Sequence, residues 1–290
     1  MSLLELFCEI DDFCQEFDRY YGHQQVGSGE TRGRKARMTK SEIMTLLVLF
    51  HQKNYRTFKS YYIDYVQESL QEDFPQLVSY NRFVELSRTV SLEMCAYLQS
   101  RYGKCTGISY VDSTSIAVCH NKRINRNKVF ESLARRSKTT MGWFYGFKVH
   151  LIVNEKGELL ATQLTLGNTD DRIALEDMAE AVHGKVFGDK GYISKDLFER
   201  LRQRNIELIT TIKKNMKNSL MLLEDKLLLR KRYIVETIID QLKNISQIEH
   251  TRHRSPDNFF INIVSGLIAY THQPKKPSLN LTSHSLEIVL

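Results

Sequence analysis

The hydrophobic positions of this chain change spacing near residue 100. Before that point apolar residues form stripes at helical spacing. Two capping boxes, Ser2-x-x-Glu5 and Thr39-x-x-Glu42, mark helix starts, and a further helix is expected over about 81–101. We therefore expect an α-helical N-terminal domain over residues 1–102.

After Gly103, short β-rich runs alternate with helical patterns. The predicted strands cover about 108–118, 143–154, 159–166, 185–187 and 206–212. The predicted helices cover about 170–182, 194–204, 222–245 and 256–270. This order predicts three meandering strands and two right-handed crossovers, giving a mixed five-stranded sheet with helices on its faces. We expect this α/β domain over residues 103–272 and a C-terminal tail over 273–290.

The composition is that of a globular protein. The 290 residues are 42% hydrophobic, enough for a packed core, and no apolar run approaches the roughly 18 residues that a membrane span needs. The N-terminus carries acidic residues where a secretion signal needs basic ones. Five scattered cysteines without a C-x-x-C pair argue against a disulfide framework or a zinc ribbon. We expect a cytosolic protein without a membrane partner.

The excess of positive charge indicates what kind of partner this protein binds. The net charge is +7 and the pI is about 9.0, which suits a polyanionic partner. Residues 120–141 join the first two predicted strands beside Asp112, and Glu131 is their single acid. Their basic residues are Lys122, Arg123, Arg126, Lys128, Arg135, Arg136 and Lys138. A phosphate backbone would lie on such a segment, and the alternative is an ordinary solvated loop.

The N-terminal helices also have a basic loop, at residues 32–37. This loop makes the helical domain a candidate module for reading DNA. A purely structural helical domain explains the same pattern nearly as well.

Two acidic residues end predicted β-runs. Asp112 follows Tyr110-Val111, and Asp189 follows Phe187-Gly188. Sites in such sheets form at the carboxyl ends of strands, near a switch in strand order. If the first and fourth predicted strands are parallel neighbours, the two carboxylates project side by side. Taken singly, each motif is also typical of a turn or a helix cap.

A third acid, Glu236, lies on the predicted helix 222–245. At about 100° per residue, Arg232, Glu236 and Lys243 form one line, with the aliphatic residues on the opposite face. The alternative is a solvated helix face with an i,i+4 Arg–Glu pair.

Three converging carboxylates would suit two hard cations, Mg²⁺ or Mn²⁺. Two such ions about 3.5–4 Å apart support in-line displacement at a phosphodiester. Asp112 would bridge both ions, while Asp189 and Glu236 would each complete one coordination shell. The chain has no Ser/His/Asp nucleophile pattern and no P-loop, so acyl transfer and NTP hydrolysis lack support.

Over roughly residues 105–270 these motifs resemble the DDE transposases of bacterial insertion sequences. The resemblance rests on Val111-Asp112-Ser113-Thr114, on the segment Trp143–His150, on Gly188-Asp189-Lys190-Gly191-Tyr192, and on Arg232-x3-Glu236-x6-Lys243. The last is similar to the Tyr-Arg-Glu-Lys signature of many such enzymes, except that Leu229 stands at the tyrosine position. The branch it resembles most is the nine-eighty-two family of insertion sequences.

The resemblance implies an RNase H-like catalytic domain with Asp112, Asp189 and Glu236 as ligands of two metal ions. It implies contacts from Arg232 and Lys243 to the phosphates of the transposon end. Further expected DNA contacts are Lys190, Arg123, Arg126, Arg135, Arg136 and Lys138.

The resemblance also implies an activity and its partners. Metal-dependent hydrolysis at the terminal inverted repeats of the element would be followed by attack of the freed 3′-hydroxyl on target DNA. A homodimer is expected in the synaptic complex, associated with the bacterial nucleoid. Two alternatives stay open: an RNase H-like nuclease without strand transfer, and a domesticated protein that only binds DNA. The intact acidic triad argues against the second.

Overall fold

The structure, a computed structural model, describes residues 1–21, 37–53, 55–140, 142–211, 221–249 and 253–279. Most of the predicted basic loop at 32–37 and most of the predicted tail at 273–290 lie outside these residues. The chain forms a helical unit of Met1–Arg101, Asn244–Ile248 and His253–Pro274, and a sheet unit of Tyr102–Lys243, Glu249–Arg252 and Lys275–Leu290.

The α-helices are α1 Leu3–Tyr21, α2 Lys40–Phe50, α3 Phe58–Ser60, α4 Gln67–Ser69, α5 Tyr80–Ser87, α6 Ser91–Ser100, α7 Asp171–Met178, α8 Lys195–Gln203, α9 Leu223–Arg230, α10 Tyr233–Asn244 and α11 Pro256–Thr271. A π-helical turn, Tyr61–Val66, joins α3 to α4. Short 3₁₀ turns are Arg88–Val90, Asn121–Arg126, Ala179–Ala181 and Lys190–Tyr192. Within the described part of the chain, no helix has the length and apolarity needed to cross a bilayer.

Both predicted capping boxes are present in the helical unit. The Ser2 hydroxyl accepts from the Glu5 amide while the Glu5 carboxylate accepts from the Ser2 amide, at 3.2 and 2.7 Å. Thr39 and Glu42 exchange the same pair of bonds at the start of α2. Because each box satisfies amide groups that a helix leaves unpaired, these starts are local properties of the sequence.

Aromatic side chains and one long apolar helix form the core of the helical unit. The Phe83 ring lies 4.8 Å from that of Tyr62 and 5.6 Å from that of Phe58, measured between centroids. Helix α11 is buried on nearly every side. The helix predicted over 81–101 is instead two helices, α5 and α6, joined by the 3₁₀ turn Arg88–Val90.

The sheet unit contains a six-stranded mixed sheet. The strands are β1 Ile108–Cys119, β2 Arg135–Thr139, β3 Gly142–Asn154, β4 Leu159–Leu166, β5 Gly184–Gly188 and β6 Ile206–Thr210. They are hydrogen-bonded in the order β2-β3-β1-β5-β6, with β4 also paired to β3. Strands β1, β3 and β4 are antiparallel neighbours, which confirms the predicted meander. Strands β1, β5 and β6 are parallel neighbours, as connections that cross over the sheet require.

Strand β2 was not predicted, because the sequence placed it within a basic loop. Its residues, Arg-Arg-Ser-Lys-Thr, lack the apolar alternation that marks a half-buried strand. The strand forms because β3 extends beyond β4 and offers a free backbone ladder to Arg135–Thr139. The formation of β2 therefore depends on its neighbour β3 and not on the side chains of β2 itself.

Helices cover both faces of the sheet. Val111, Leu175, Tyr192 and Leu197 belong to one buried cluster between the sheet and helices α7 and α8. Side chains alternate across a strand, so Tyr110 and Asp112 point to the opposite face. The turn that leads into α10 lies on that face, because Arg232 contacts Asp112 there. The described fold is the RNase H-like arrangement, preceded by helices.

Two glycines set the start of the parallel pair β1 and β5. Gly184 has a φ of +75°, and a Cβ atom there would lie 2.5 Å from the Gly107 carbonyl oxygen. The Gly107 oxygen accepts a hydrogen bond from the Lys185 amide at 2.8 Å. Any larger residue at 184 would push the strands apart, so this approach holds the register in which Tyr110 is opposite Phe187.

Candidate active site

Asp112 and Asp189 lie at matching positions on neighbouring parallel strands. Each is two residues beyond the register pair Tyr110 and Phe187, whose rings stack with centroids 5.5 Å apart. Alternate residues share a face and adjacent strands are about 4.8 Å apart. The stacked rings therefore identify the face on which both carboxylates emerge. Asp189 directly follows β5, whereas Asp112 lies inside the 12-residue strand β1 and does not end it.

Asp189 also begins a tight turn. Its Oδ1 accepts a hydrogen bond from the Gly191 amide at 2.6 Å and caps the 3₁₀ turn Lys190–Tyr192. One of its oxygens is thus held by the backbone, and the carboxylate has a defined orientation. The turn interpretation of this motif is correct, and it is compatible with a role in a site.

Arg232 connects the other two acids. Its Nη1 donates to Asp112 Oδ2 at 2.8 Å, and its Nη2 donates to Glu236 Oε1. The planar guanidinium can engage two carboxylates at once because its donors are arranged as a fork. Asp112 and Glu236 are therefore brought together through a shared cation.

The single helix predicted over 222–245 is wrong. The Lys231 and Arg232 amides donate three residues back, to Leu228 and Leu229, at 2.9 and 3.3 Å. These bonds close α9, and α10 begins again at Tyr233. Arg232 consequently lies in a turn between two helices, and it does not share a helix face with Glu236 and Lys243.

A buried ion pair explains where this turn lies. Asp225 of α9 accepts from Lys185 Nζ of β5 at 2.6 Å, and both side chains are largely buried. Lys185 is opposite Ile108 in the register of β1 and β5. The pair therefore holds α9 beside the strands that carry Asp112 and Asp189. Arg232, which follows α9 in the chain, is thereby placed near Asp112.

Burial dominates the electrostatics of Asp112. Removal from water raises its pKa, while the Arg232 guanidinium and the Ser113 amide lower it, and the nearby Asp189 carboxylate raises it further. The Asp112 and Arg232 side chains are each 22% exposed, whereas Glu236 is 54% exposed. A half-buried carboxylate with an acidic neighbour requires a positive partner, and Arg232 is that partner here.

The three carboxylates do not form a ready cage. Among the described residues, no group of three or more His, Cys, Asp or Glu side chains is arranged to hold a metal ion. The donor set still fits a hard divalent cation, because carboxylate oxygens are the ligands that Mg²⁺ and Mn²⁺ prefer. The Arg232 guanidinium stands between two of these donors and supplies the positive charge they need.

The predicted DNA-contact residues are spread over the sheet unit. Lys190 is exposed in the turn directly after Asp189. Lys243 forms an ion pair with Glu249 at 3.2 Å. Arg123 and Arg126 lie in the 3₁₀ turn after β1, and the remaining three lie in β2: Arg135, Arg136 and Lys138.

The basic stretch 120–141 is not beside Asp112, as the sequence had suggested. Asp112 and His120 are eight positions apart along an extended strand, which is about 26 Å at about 3.3 Å per residue. The distance is large because β1 has twelve residues. The stretch therefore adjoins the far end of β1.

A second charged cluster was missed by sequence reasoning. Lys148 of β3 donates to Asp171 Oδ1 at 2.8 Å and to the Thr169 carbonyl at 2.9 Å. His150 is fully buried, with Nε2 at 2.8 Å from the Thr165 hydroxyl and Nδ1 at 3.8 Å from Asp171. Burial lowers the pKa of His150 to about 4. Lys148 and His150 share a strand face, but nothing in the sequence pairs them with Asp171.

Tyr192 is buried, and its phenol senses both Asp171 of this cluster and the carboxylates of Asp112 and Asp189. Burial raises the pKa of its phenol well above the usual range, and Asp112, Asp171 and Asp189 add to that effect. The hydroxyl has no hydrogen-bond partner among the described residues. The phenol is therefore neutral at physiological pH, within the field of three acids.

The fold and this acidic site define an α/β protein with carboxylates on adjacent strands of an RNase H-like sheet. A family model described as "Transposase DDE domain" matches residues 102–256. The chain belongs to this family. Proteins of this family generally use divalent metal ions.

Solved structures with likeness to the chain include two transposase complexes. One is a piggyBac transposase synaptic complex with hairpin DNA, at 10% identity and a TM-score of 0.48, covering 99% of this chain and 84% of that chain. The other is a Mos1 transposase paired-end complex with the left transposon end, at 12% identity and a TM-score of 0.24, covering 87% and 84%. No curated protein matches the chain significantly.

Proposed function

We propose that this protein is a transposase that cuts DNA at the ends of a bacterial insertion sequence and joins them to target DNA. The observation that carries this proposal is the arrangement of Asp112 and Asp189 on neighbouring parallel strands, with Arg232 linking Asp112 to Glu236. This arrangement lies within the matched family segment. The element would be one of the nine-eighty-two family, and its inverted repeats would be the recognised ends.

Asp112, Asp189 and Glu236 would hold two Mg²⁺ or Mn²⁺ ions. When bound, such ions activate an attacking oxygen and stabilise the leaving oxygen of a phosphodiester. Asp112 lies centrally, since it neighbours Asp189 through the sheet and Glu236 through Arg232. With such ions held by the carboxylates, Asp112 and Glu236 would not need Arg232 as their positive partner, and its guanidinium would be available for another contact.

The freed Arg232 would then contact DNA. A guanidinium matches the geometry of a phosphate as well as that of a carboxylate, so the side chain that neutralises Asp112 is suited to a phosphate in the same place. Lys190, beside Asp189, and Lys243 would contribute further backbone contacts. The more distant Arg123, Arg126, Arg135, Arg136 and Lys138 would bind DNA away from the cut.

Cleavage and strand transfer could share this site because both are in-line displacements at phosphorus. Water attacks in the first step, and the freed 3′-hydroxyl of the element attacks target DNA in the second. The residues have the same tasks in both: three carboxylates orient the reacting groups, and cationic side chains position the backbone. Two ends must be joined at once, so we propose a homodimer, with the helical domain of residues 1–102 contributing DNA contacts.

The decisive experiment is incubation of the full chain with DNA carrying the inverted repeats, with and without Mg²⁺. We expect nicking at the repeat ends only with the metal, and joined products when target DNA is added. Asp112→Ala should abolish both. Glu207→Gln, which removes an exposed carboxylate from β6, should not affect either.

Three outcomes would contradict the proposal in different ways. Cutting that survives Asp112→Ala would exclude this site. Cutting without joined products would favour the alternative of a nuclease on the same fold. Salt-sensitive binding without any cutting would favour a protein that only binds DNA.

A further inference from the structure

One exposed aromatic residue lies in the most basic part of the sheet unit. Trp143, the only tryptophan of the chain, is 52% exposed at the start of β3. We propose that Trp143, together with Arg136 and Lys138, binds unpaired DNA by stacking bases on the indole. We call these three residues the Trp143 platform. The inference rests on the proposed function only for its choice of DNA as the partner.

The platform is built by cross-strand pairing. Lys138 lies directly opposite Trp143 in the register of β2 and β3, and Arg136 is two residues along the same face of β2. The Arg136 guanidinium carbon lies 4.7 Å from the centroid of the Trp143 ring. A cation over the ring holds the indole in one orientation, and about half of the side chain remains open to solvent.

A basic turn adjoins the platform. Asn121 Nδ2 donates to the Trp143 carbonyl at 2.6 Å, which fixes the 3₁₀ turn Asn121–Arg126 beside the indole. That turn carries three exposed cations: Lys122, Arg123 and Arg126. The nearby acid Glu131 is already paired with Lys128 at 3.0 Å.

Positive charge at the platform is therefore uncompensated. Within the described ranges, Lys122, Arg123, Arg126, Arg136 and Lys138 have no carboxylate partner. Five cations without a carboxylate partner, around one exposed aromatic ring, match a partner with alternating phosphates and flat bases. An apolar protein surface would gain nothing from the cations, and a duplex would gain nothing from the indole.

Unpaired DNA is the form that uses both features. Bases of a duplex are stacked on each other, so their faces are closed to a protein side chain. Bases of a single strand can stack on an aromatic ring while the backbone follows a basic groove. The platform should consequently prefer unpaired over paired DNA.

The strand geometry relates the platform to the carboxylates. Leu151 of β3 is opposite Asp112. The one register shift between β1 and β3 in this stretch lies between Ala117 and Cys119, so the extra residue belongs to β1 and β3 keeps its alternation from Trp143 to Leu151. Both are odd-numbered positions of β3, so the platform and Asp112 share one sheet face, about 26 Å apart. That distance equals about eight base pairs of B-DNA at about 3.4 Å each. One DNA molecule could be cut at Asp112 and held open at Trp143.

The single tryptophan makes the test direct. The full chain, without divalent metal, is titrated with an unlabelled single-stranded oligothymidylate and with a mixed-sequence duplex of the same length. We expect saturable quenching of Trp143 fluorescence and protection from acrylamide with the single strand, and much smaller changes with the duplex. An indole whose emission and acrylamide access are unchanged by bound single strand would overturn the proposal.

Substitutions give a second readout, from the anisotropy of labelled DNA. Trp143→Ala should weaken binding of the single strand by about fivefold or more, because base stacking is lost. Its affinity for the duplex should change by less than about twofold. Trp143→Phe should retain most of the affinity. Equal losses on both DNA forms, or no loss on either, would contradict the proposal.

Arg136 provides a matched pair of variants. Arg136→Lys preserves the charge and loses the planar contact over the indole, so we expect a loss on the single strand alone. Arg136→Ala should weaken binding of both DNA forms. These titrations involve no metal and no cleavage. A negative result would therefore contradict the Trp143 platform and not the proposed transposase activity. Conversely, a protein without cleavage activity could still show the expected binding.

Discussion

Two charged networks of the sheet unit use similar residues to different effect. In the first, Arg232 bridges Asp112 and Glu236, and the Glu236 side chain is 54% exposed. In the second, Lys148 holds Asp171 and a backbone carbonyl, next to the fully buried His150. The first network joins side chains whose partner could be exchanged for a metal or a phosphate. The second network links α7 to β3, and its bonds leave no side chain whose partner could be exchanged in this way.

The difference follows from what each cation binds. The Arg232 guanidinium donates to the carboxylates of Asp112 and Glu236, and both can accept another cation in its place. Lys148 also donates a hydrogen bond to the Thr169 carbonyl. Without Lys148, that carbonyl would need a water molecule as its partner. We therefore expect the Arg232 network to govern activity and the Lys148 network to govern stability.

The largest expected effect is on activity alone. Asp189→Asn should lower metal-dependent cleavage by about a thousandfold or more, because a charged ligand is lost. Asparagine can still accept from the Gly191 amide as a cap, so the free energy of unfolding should change by less than about 1 kcal/mol. Cleavage assays and urea unfolding check the two parts. A large loss of stability would mean that the two networks are not distinct.

Acid should act through the Lys148 network. The pKa of His150 is lowered to about 4 in the fold by burial, against about 6.5 when unfolded. The unfolded chain therefore binds the proton more readily, and stability should fall as the pH decreases from about 6.5 to 4. The shift corresponds to about 3 kcal/mol, at about 1.4 kcal/mol per unit.

His150→Gln checks this pH dependence. It removes the titrating group, so the slope of unfolding free energy against pH between 6.5 and 4 should flatten. Asp171 and Lys148 face His150 and remain in place. An unchanged slope would show that other groups control the acid response.

A smaller loss of stability should follow from breaking the Lys148 pair. Asp171→Asn leaves a largely buried ammonium without its carboxylate, and the two side chains are 15% and 31% exposed. We expect about 2 kcal/mol of destabilisation in urea, with near-normal cleavage below the melting point. Asp177→Asn, on the exposed side of the same helix, is the control and should cost less than about 0.5 kcal/mol.

The smallest expected effect concerns the replacement of the Arg232 guanidinium by a metal ion at Asp112. Without metal, Arg232→Ala should cost about 1 kcal/mol, because Asp112 loses its positive partner. Added Mg²⁺ should then raise the Tm of this variant more than that of the wild type, since no guanidinium competes with the ion. Arg230→Ala, an exposed neighbour, should respond like the wild type. Equal Mg²⁺ effects in all three proteins would contradict this replacement.

Local signals were enough to predict much of this protein. Capping boxes, alternation and strand order predicted the helical start and the meander. The parallel pairing of β1 with β5 was only a condition at the level of the sequence, and the structure supplies it. Given that pairing, Asp112 and Asp189 are adjacent, because parallel strands align residues at fixed spacing. The assignment of these acids and of Glu236 as metal ligands stays a prediction.

Other features could not be read locally. Strand β2 exists only because β3 offers it a ladder, and the break between α9 and α10 places Arg232 where Asp112 can bind it. The partners Lys148 and Asp171 are 23 residues apart, and no periodicity connects them. In each case the deciding contact is made by a distant part of the chain.

The sequence by itself determined the order of the five predicted strands, the family and the three acids, since these depend on residue types and short-range spacing. Only the tertiary structure decided that a guanidinium, and not a ready carboxylate cage, occupies the centre of the site. The physical reason is burial. Once folding removes Asp112 from water, a positive partner stabilises its charge, and folding places Arg232 2.8 Å away.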